Sequence, residues 1–127
     1  FTAVWKFGTT ENTKASDSAA WYTKVGKLVT VWFKGAISGA PSGTGNLSIS
    51  GLPFTSESTS NHIATTGVWA NRITNIGDGV TSEMYPNTTL VSIQKIASST
   101  SSDIGYVQHS DCVINTQVRF NISYRAA

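Results

Sequence analysis

A chain of 127 residues with 13% charged side chains, about half the usual share, and 17 Ser plus 17 Thr presents a neutral, hydroxyl-rich surface for a single domain. Nine Lys and Arg, scattered from Lys6 to Arg125, form no basic stripe of the kind a nucleic acid demands, and no apolar run approaches the roughly 20 residues of a membrane span. Cys112 is the single cysteine, so an internal disulfide is excluded.

In chain order, residues 2–7 alternate Ala3, Trp5 and Phe7 against Thr2, Val4 and Lys6 and stop at Gly8, the mark of a first strand. Residues 9–20 are small and polar and read as a loop, with a short helix over 14–20 as the lesser alternative. The stretch 21–37 organises the rest. From Leu28 onward, Val29, Val31, Phe33 and Ile37 lie on one side and Leu28, Thr30, Trp32, Lys34 and Ala36 on the other. Period two in β-branched and aromatic residues is a strand, and Trp21, Tyr22 and Thr23, ahead of the short Val25-Gly26-Lys27, complete a β-hairpin. Leu28 and Trp32 stand on its more polar face, so part of that face is expected to be covered too.

Residues 38–45 carry turn chemistry, and 46–51 form a short strand with Leu47 and Ile49 on one face, stopped by Gly51-Leu52-Pro53. Residues 55–60 read as polar loop, 62–66 and 68–73 as two short strands broken at Gly67, and Asn75-Ile76-Gly77-Asp78-Gly79 as a turn. Strands over 80–85 and 88–97, the latter setting Val91 and Ile93 against Leu90 and Ile96, precede a polar 98–103 and a short apolar 104–107. The run 112–124 closes the chain with the cleanest alternation: Val118, Phe120, Ile122 and Tyr124 against Gln117, Arg119, Asn121 and Ser123. No helical apolar period with caps occurs. About nine or ten short strands between turns predict an all-β fold, an antiparallel β-sandwich of jelly-roll-like kind, in one domain over 1–127.

Several segments stand in a familiar order: Thr2-Ala3-Val4-Trp5-Lys6-Phe7-Gly8, Trp21-Tyr22-Thr23-Lys24-Val25-Gly26-Lys27-Leu28-Val29, Leu47-Ser48-Ile49-Ser50-Gly51-Leu52-Pro53-Phe54 and Phe120-Asn121-Ile122-Ser123-Tyr124. Together they resemble the distal, C-terminal β-sandwich domain of bacteriophage tail fibre and tailspike proteins. The family pattern carries Asn where Lys27 stands, and residues 55–103 match no part of it. The resemblance implies a homotrimer at the tip of a fibre or spike on the virion, outside the cell. There it would stabilise the trimer, touch the host surface, or both. It also implies that any depolymerase activity belongs to an upstream β-helix. Phe1 in place of Met fits a processed product or the C-terminal piece of a longer protein.

Recognition of a bacterial surface polysaccharide needs flat apolar faces for sugar C–H groups beside polar groups for the hydroxyls. Trp69, Tyr85 and Tyr106 lie in or beside turn-rich segments, and Asn71, Arg72, Asp78 and Glu83 are close in sequence, so these seven are the candidate ligand-binding residues. The plainer reading puts aromatic residues in the core, and it is the stronger one for all six, Trp69, Tyr85 and Tyr106 included, and most of all for Trp5, Trp21 and Trp32. Leu28 and Trp32 are the candidate trimer contacts. None of the seven Asp and Glu stands in a catalytic motif, so no catalytic residue is assigned. His109-Ser110-Asp111-Cys112 contains ligand-type side chains, but a strand would divide them between two faces, and His62 is the only other histidine; neither metal nor cofactor is expected. Three glycosylation sequons, at Asn46, Asn87 and Asn121, against about two expected by chance in so hydroxyl-rich a chain, decide nothing. The leading expectation is a non-enzymatic, trimeric, host-surface-binding fibre-tip domain. The alternatives are a purely structural trimerisation domain or capsid fibre knob without ligand, and a carbohydrate-binding module of a secreted enzyme, which would be a monomer.

Overall fold

The two-residue rhythm decides which side chains meet. The structure, a computed structural model, describes residues 1–59, 64–96 and 104–127. Among these residues the chain forms no α-helix and eleven strands: β1 (Val4–Phe7), β2 (Thr10–Asn12), β3 (Ala19–Val25), β4 (Leu28–Ala36), β5 (Leu47–Ser50), β6 (Ala64–Gly67), β7 (Trp69–Ile73), β8 (Gly79–Met84), β9 (Leu90–Ile96), β10 (Ile104–Tyr106) and β11 (Cys112–Arg125). One sheet has seven strands in the order β2-β1-β5-β9-β8-β6, with β10 paired to β9; the other runs β3-β4-β11-β7. All strand pairings are antiparallel.

Most inward positions of both sheets are apolar and buried. Trp5, Phe7, Leu47, Ile49, Val91, Ile93 and Met84 come from the seven-stranded sheet, and Val29, Val31, Phe33, Val118, Phe120, Ile122 and Tyr124 from the four-stranded one. Trp5 meets Phe33 edge-on across the interface at 5.9 Å, and Phe33 in turn meets Phe120 at 5.4 Å, so an aromatic column joins the layers. Such side chains contribute roughly 1.5–3 kcal/mol each when fully buried, which is why the alternation fixes register so firmly.

The expected 21–37 hairpin forms as β3 and β4, whose last pair is Val25 with Leu28. Gly26 and Lys27 are then a two-residue loop. Gly26 has φ 58° and Lys27 is not among the positive-φ residues, the pattern of a type II′ turn, which needs glycine only at its first position. Lysine is therefore tolerated where the resembled pattern has Asn.

Several expectations need correction. Residues 9–20 form neither plain loop nor helix: β2 pairs with β1, and β3 begins at Ala19. Gly8 makes that first turn at φ 59°, where a Cβ would stand 2.6 Å from the Thr44 carbonyl oxygen. The described part of the expected 55–60 loop, residues 55–59, is not wholly solvated. Ser56 is buried; its hydroxyl donates to the Tyr85 carbonyl at 2.8 Å and accepts from the Thr88 N–H at 3.0 Å. The strands on either side of Gly67 belong to different sheets, β6 beside β8 and β7 beside β11. His109–Asp111 is a 3-10 turn, not strand. Of the remaining expectations, Ser60, His62, Ile63, Ala97 and residues 98–103 lie outside the described residues.

Candidate functional site

Alternation that fills the core also sends a second set of side chains outward. On the four-stranded sheet, register lines up Trp21, Trp32 and Asn121 in one row and Ala19, Lys34, Arg119 and Trp69 in the next. The Trp21 and Trp32 rings are nearly parallel, 9° apart with centroids at 6.4 Å, and the Arg119 guanidinium lies 4.4 Å above the Trp69 ring. A shallow groove of about 510 Å³ runs between them. Large apolar side chains here are exposed, from 48% for Trp69 through 51% for Trp21 and 52% for Leu28 to 73% for Val25. The core reading fails for Trp21, because Ala20 and Tyr22 take the inward positions of β3. Trp32 is half-covered by its neighbour. Leu28 and Trp32 do share this outer face.

The outward face of the seven-stranded sheet is chemically different. One row is Ser48, Ser92, Glu83 and Thr65; the next is Tyr106, Gln94, Thr81 and Gly67; beyond it lie Ile104, Ile96 and Gly79. A groove of about 570 Å³ opens over them, with Tyr85 at its wall. Gln94, nearly buried, donates from Nε2 to Glu83 Oε2, and the Tyr85 and Tyr106 hydroxyls stand 3.1 Å apart. The hydrogen bond with Tyr106, and after it the one with Glu83, holds the Tyr85 hydroxyl well above the ordinary phenol range. Two hydrogen-bonded pairs, Tyr106 with Tyr85 and Gln94 with Glu83, thus line one groove. Among the described residues lining the groove, Glu83 is the one carboxylate.

Of the seven candidate ligand residues, the fold therefore brings together Glu83, Tyr85 and Tyr106. Trp69 is on the opposite side of the sandwich. Asn71 sits beside it on β7, exposed and paired with Gln117, and Arg72 is exposed at φ 59° with its carbonyl accepting from Thr116 at 2.8 Å. Asp78 lies in an exposed turn, its N–H bound to the Ile96 carbonyl at 3.0 Å. Sequence reasoning missed Gln94, Thr65, Ile96 and Ile104 in the groove and Arg119 and Asn121 beside the tryptophans. For Gln94 the signal was available: in a β8–β9 hairpin, residues outward on one strand face those outward on the next.

The remaining ligand-type cluster is structural. His109 Nε2 lies 3.0 Å from the Pro41 carbonyl oxygen and its ring packs edge-on against Phe7. Asp111 is buried. Burial works against its charge, but the Lys95 ammonium at 2.8 Å, the Gln108 N–H at 2.8 Å and the Asn75 amide outweigh it and keep the carboxyl below its usual range. Burial, and then the Asp111 charge, push the Cys112 thiol up to about 12, so it is no nucleophile at neutral pH. Among the described residues, no group of three or more His, Cys, Asp or Glu capable of holding a metal occurs, and no helix is long and apolar enough to cross a membrane. No family model, curated protein or solved structure matches the chain.

Proposed function

We propose that this chain is a non-catalytic domain at the distal end of a bacteriophage tail fibre or spike, assembled as a homotrimer and presented to a bacterial surface polysaccharide. The observation that carries the assembly is the outer face of the four-stranded sheet, where Val25 and Leu28 on one side of the Thr23, Thr30 and Ser123 row and Trp21 and Trp69 on the other are exposed. Covering each stabilises by up to roughly 1.5–3 kcal/mol. Several large apolar side chains exposed on one sheet face mark a docking surface, and sister copies are the occupant that every fibre supplies. Three-fold symmetry rests on the resemblance of the four segments to fibre-tip domains.

Light scattering at micromolar concentration tests it. The expected mass is three times 13.5 kDa, and a monomer mass overturns the trimer. One observation favours a second reading, a monomeric carbohydrate-binding module: two parallel indoles beside Arg119 and Asn121 also make a platform for a sugar ring. That reading requires a stable monomer whose glycan binding is lost in Trp21→Ala.

A further inference from the structure

We infer that the outer groove of the seven-stranded sheet binds an uncharged saccharide that offers neighbouring hydroxyl groups to Glu83, and that it rejects carboxylated sugars; this deepens the host-binding reading above and rests on it. A carboxylate accepts about four hydrogen bonds. Gln94 supplies one of them, to Oε2, so Glu83 presents unfilled acceptor positions to the groove. The phenols add to this bias. The Tyr85 and Tyr106 hydroxyls, 3.1 Å apart, carry lone pairs that also accept from an incoming donor. A site so rich in acceptors is matched by adjacent O–H groups.

The surroundings set the charge and shape of the guest. No cationic side chain lines the groove among the described residues. Lys95, on the neighbouring strand position, points to the other side of β9 and is held by Asp111 at 2.8 Å. A carboxylate brought beside Glu83 thus meets uncompensated like charge. Ile96 and Ile104 are exposed at the rim and give an apolar surface to the C–H side of a sugar ring.

The test is a glycan array probed with the full chain, with neutral, uronate-bearing and amino-sugar oligosaccharides side by side, followed by calorimetric titration of the neutral hits. Neutral glycans are expected to bind, with carboxylated analogues at least about tenfold weaker. Glu83→Gln and Tyr106→Phe should each weaken neutral binding, the first by about tenfold, with thermal melting confirming that both variants fold. Glu11→Ala, on β2 at the opposite edge of the same sheet, should leave it unchanged. Equal or tighter binding of carboxylated or amino sugars, full retention by both groove variants, or no neutral binding at all would each overturn the site. Light scattering separates the two readings: a trimer that binds no neutral saccharide sinks the groove alone, and a monomer that binds one sinks the trimer alone.

Discussion

The four-stranded sheet turns Trp21, Trp32, Trp69 and Leu28 outward, while the seven-stranded sheet turns out Ser92, Glu83, Gln94 and Thr81. Beneath them the inward rows are interchangeable in character, Val31 and Ile122 on one side, Ile49 and Val91 on the other. Alternation therefore determines only which residues leave the core. What each face then does depends on how particular its side chains are about their cover. An apolar face accepts any well-fitting apolar surface, whereas a hydrogen-bonded groove penalises every guest that leaves one of its acceptors unmatched.

Four substitutions probe how independent the two faces are. The largest effect is expected from Trp5→Ala, which empties the column joining the layers: about 3–5 kcal/mol of stability is lost by chemical denaturation, and association and groove binding fail together. Retained glycan binding would mean that the groove does not need the shared core. Asp111→Asn comes next, at about 3 kcal/mol, because it strands Lys95 beneath the groove. Since the folded-state pKa of Asp111 lies below its ordinary 3.8, its stabilisation is present above that value and is lost as pH falls through the lowered one. The variant should therefore show a flatter acid limb in a plot of melting temperature against pH.

Tyr124→Phe acts under the other sheet. It removes the 2.9 Å bond to the Phe54 carbonyl and costs about 1 kcal/mol. Burial raises the Tyr124 hydroxyl from 10.0 to about 12, so the wild type holds this contribution below pH 10 and loses it as pH climbs toward 12. That alkaline loss should shrink in the variant. Leu28→Lys changes the monomer's stability least, within about 0.5 kcal/mol, yet it should abolish association in light scattering and leave groove binding intact. A trimer that survives it would move the interface elsewhere.

How much of this was legible depended on whether a feature was written along the chain or between strands. The β3–β4 hairpin and β11 were legible because consecutive residues carry the alternation. The strand β2 was not, since Thr10-Glu11-Asn12 has no apolar member and owes its conformation to the edge offered by β1. Trp21 was misplaced because Trp21 and Tyr22 have equal claims on the core by composition. Only pairing with β4, which sets Trp21 against Trp32, decides between them. Glu83, Tyr85 and Tyr106 were recognisable by residue type, but their meeting with Gln94 is made by β8 and β10 flanking β9, a tertiary fact. The same holds for the separation of Trp69 from Tyr85.

That separation happens at Val68, the single residue between β6 and β7, whose N–H is still bound to the Val80 carbonyl at 3.2 Å. The polypeptide is stitched there from one layer into the other with no slack. Were β6 to slide along β8, it would drag Trp69 out of line with Arg119, and peeling β7 away would pull in turn on Gly67. The layers are thus expected to part in one sigmoidal transition seen alike by tryptophan fluorescence and by circular dichroism, and several extra residues spliced in after Gly67 should be enough to let them come undone one at a time.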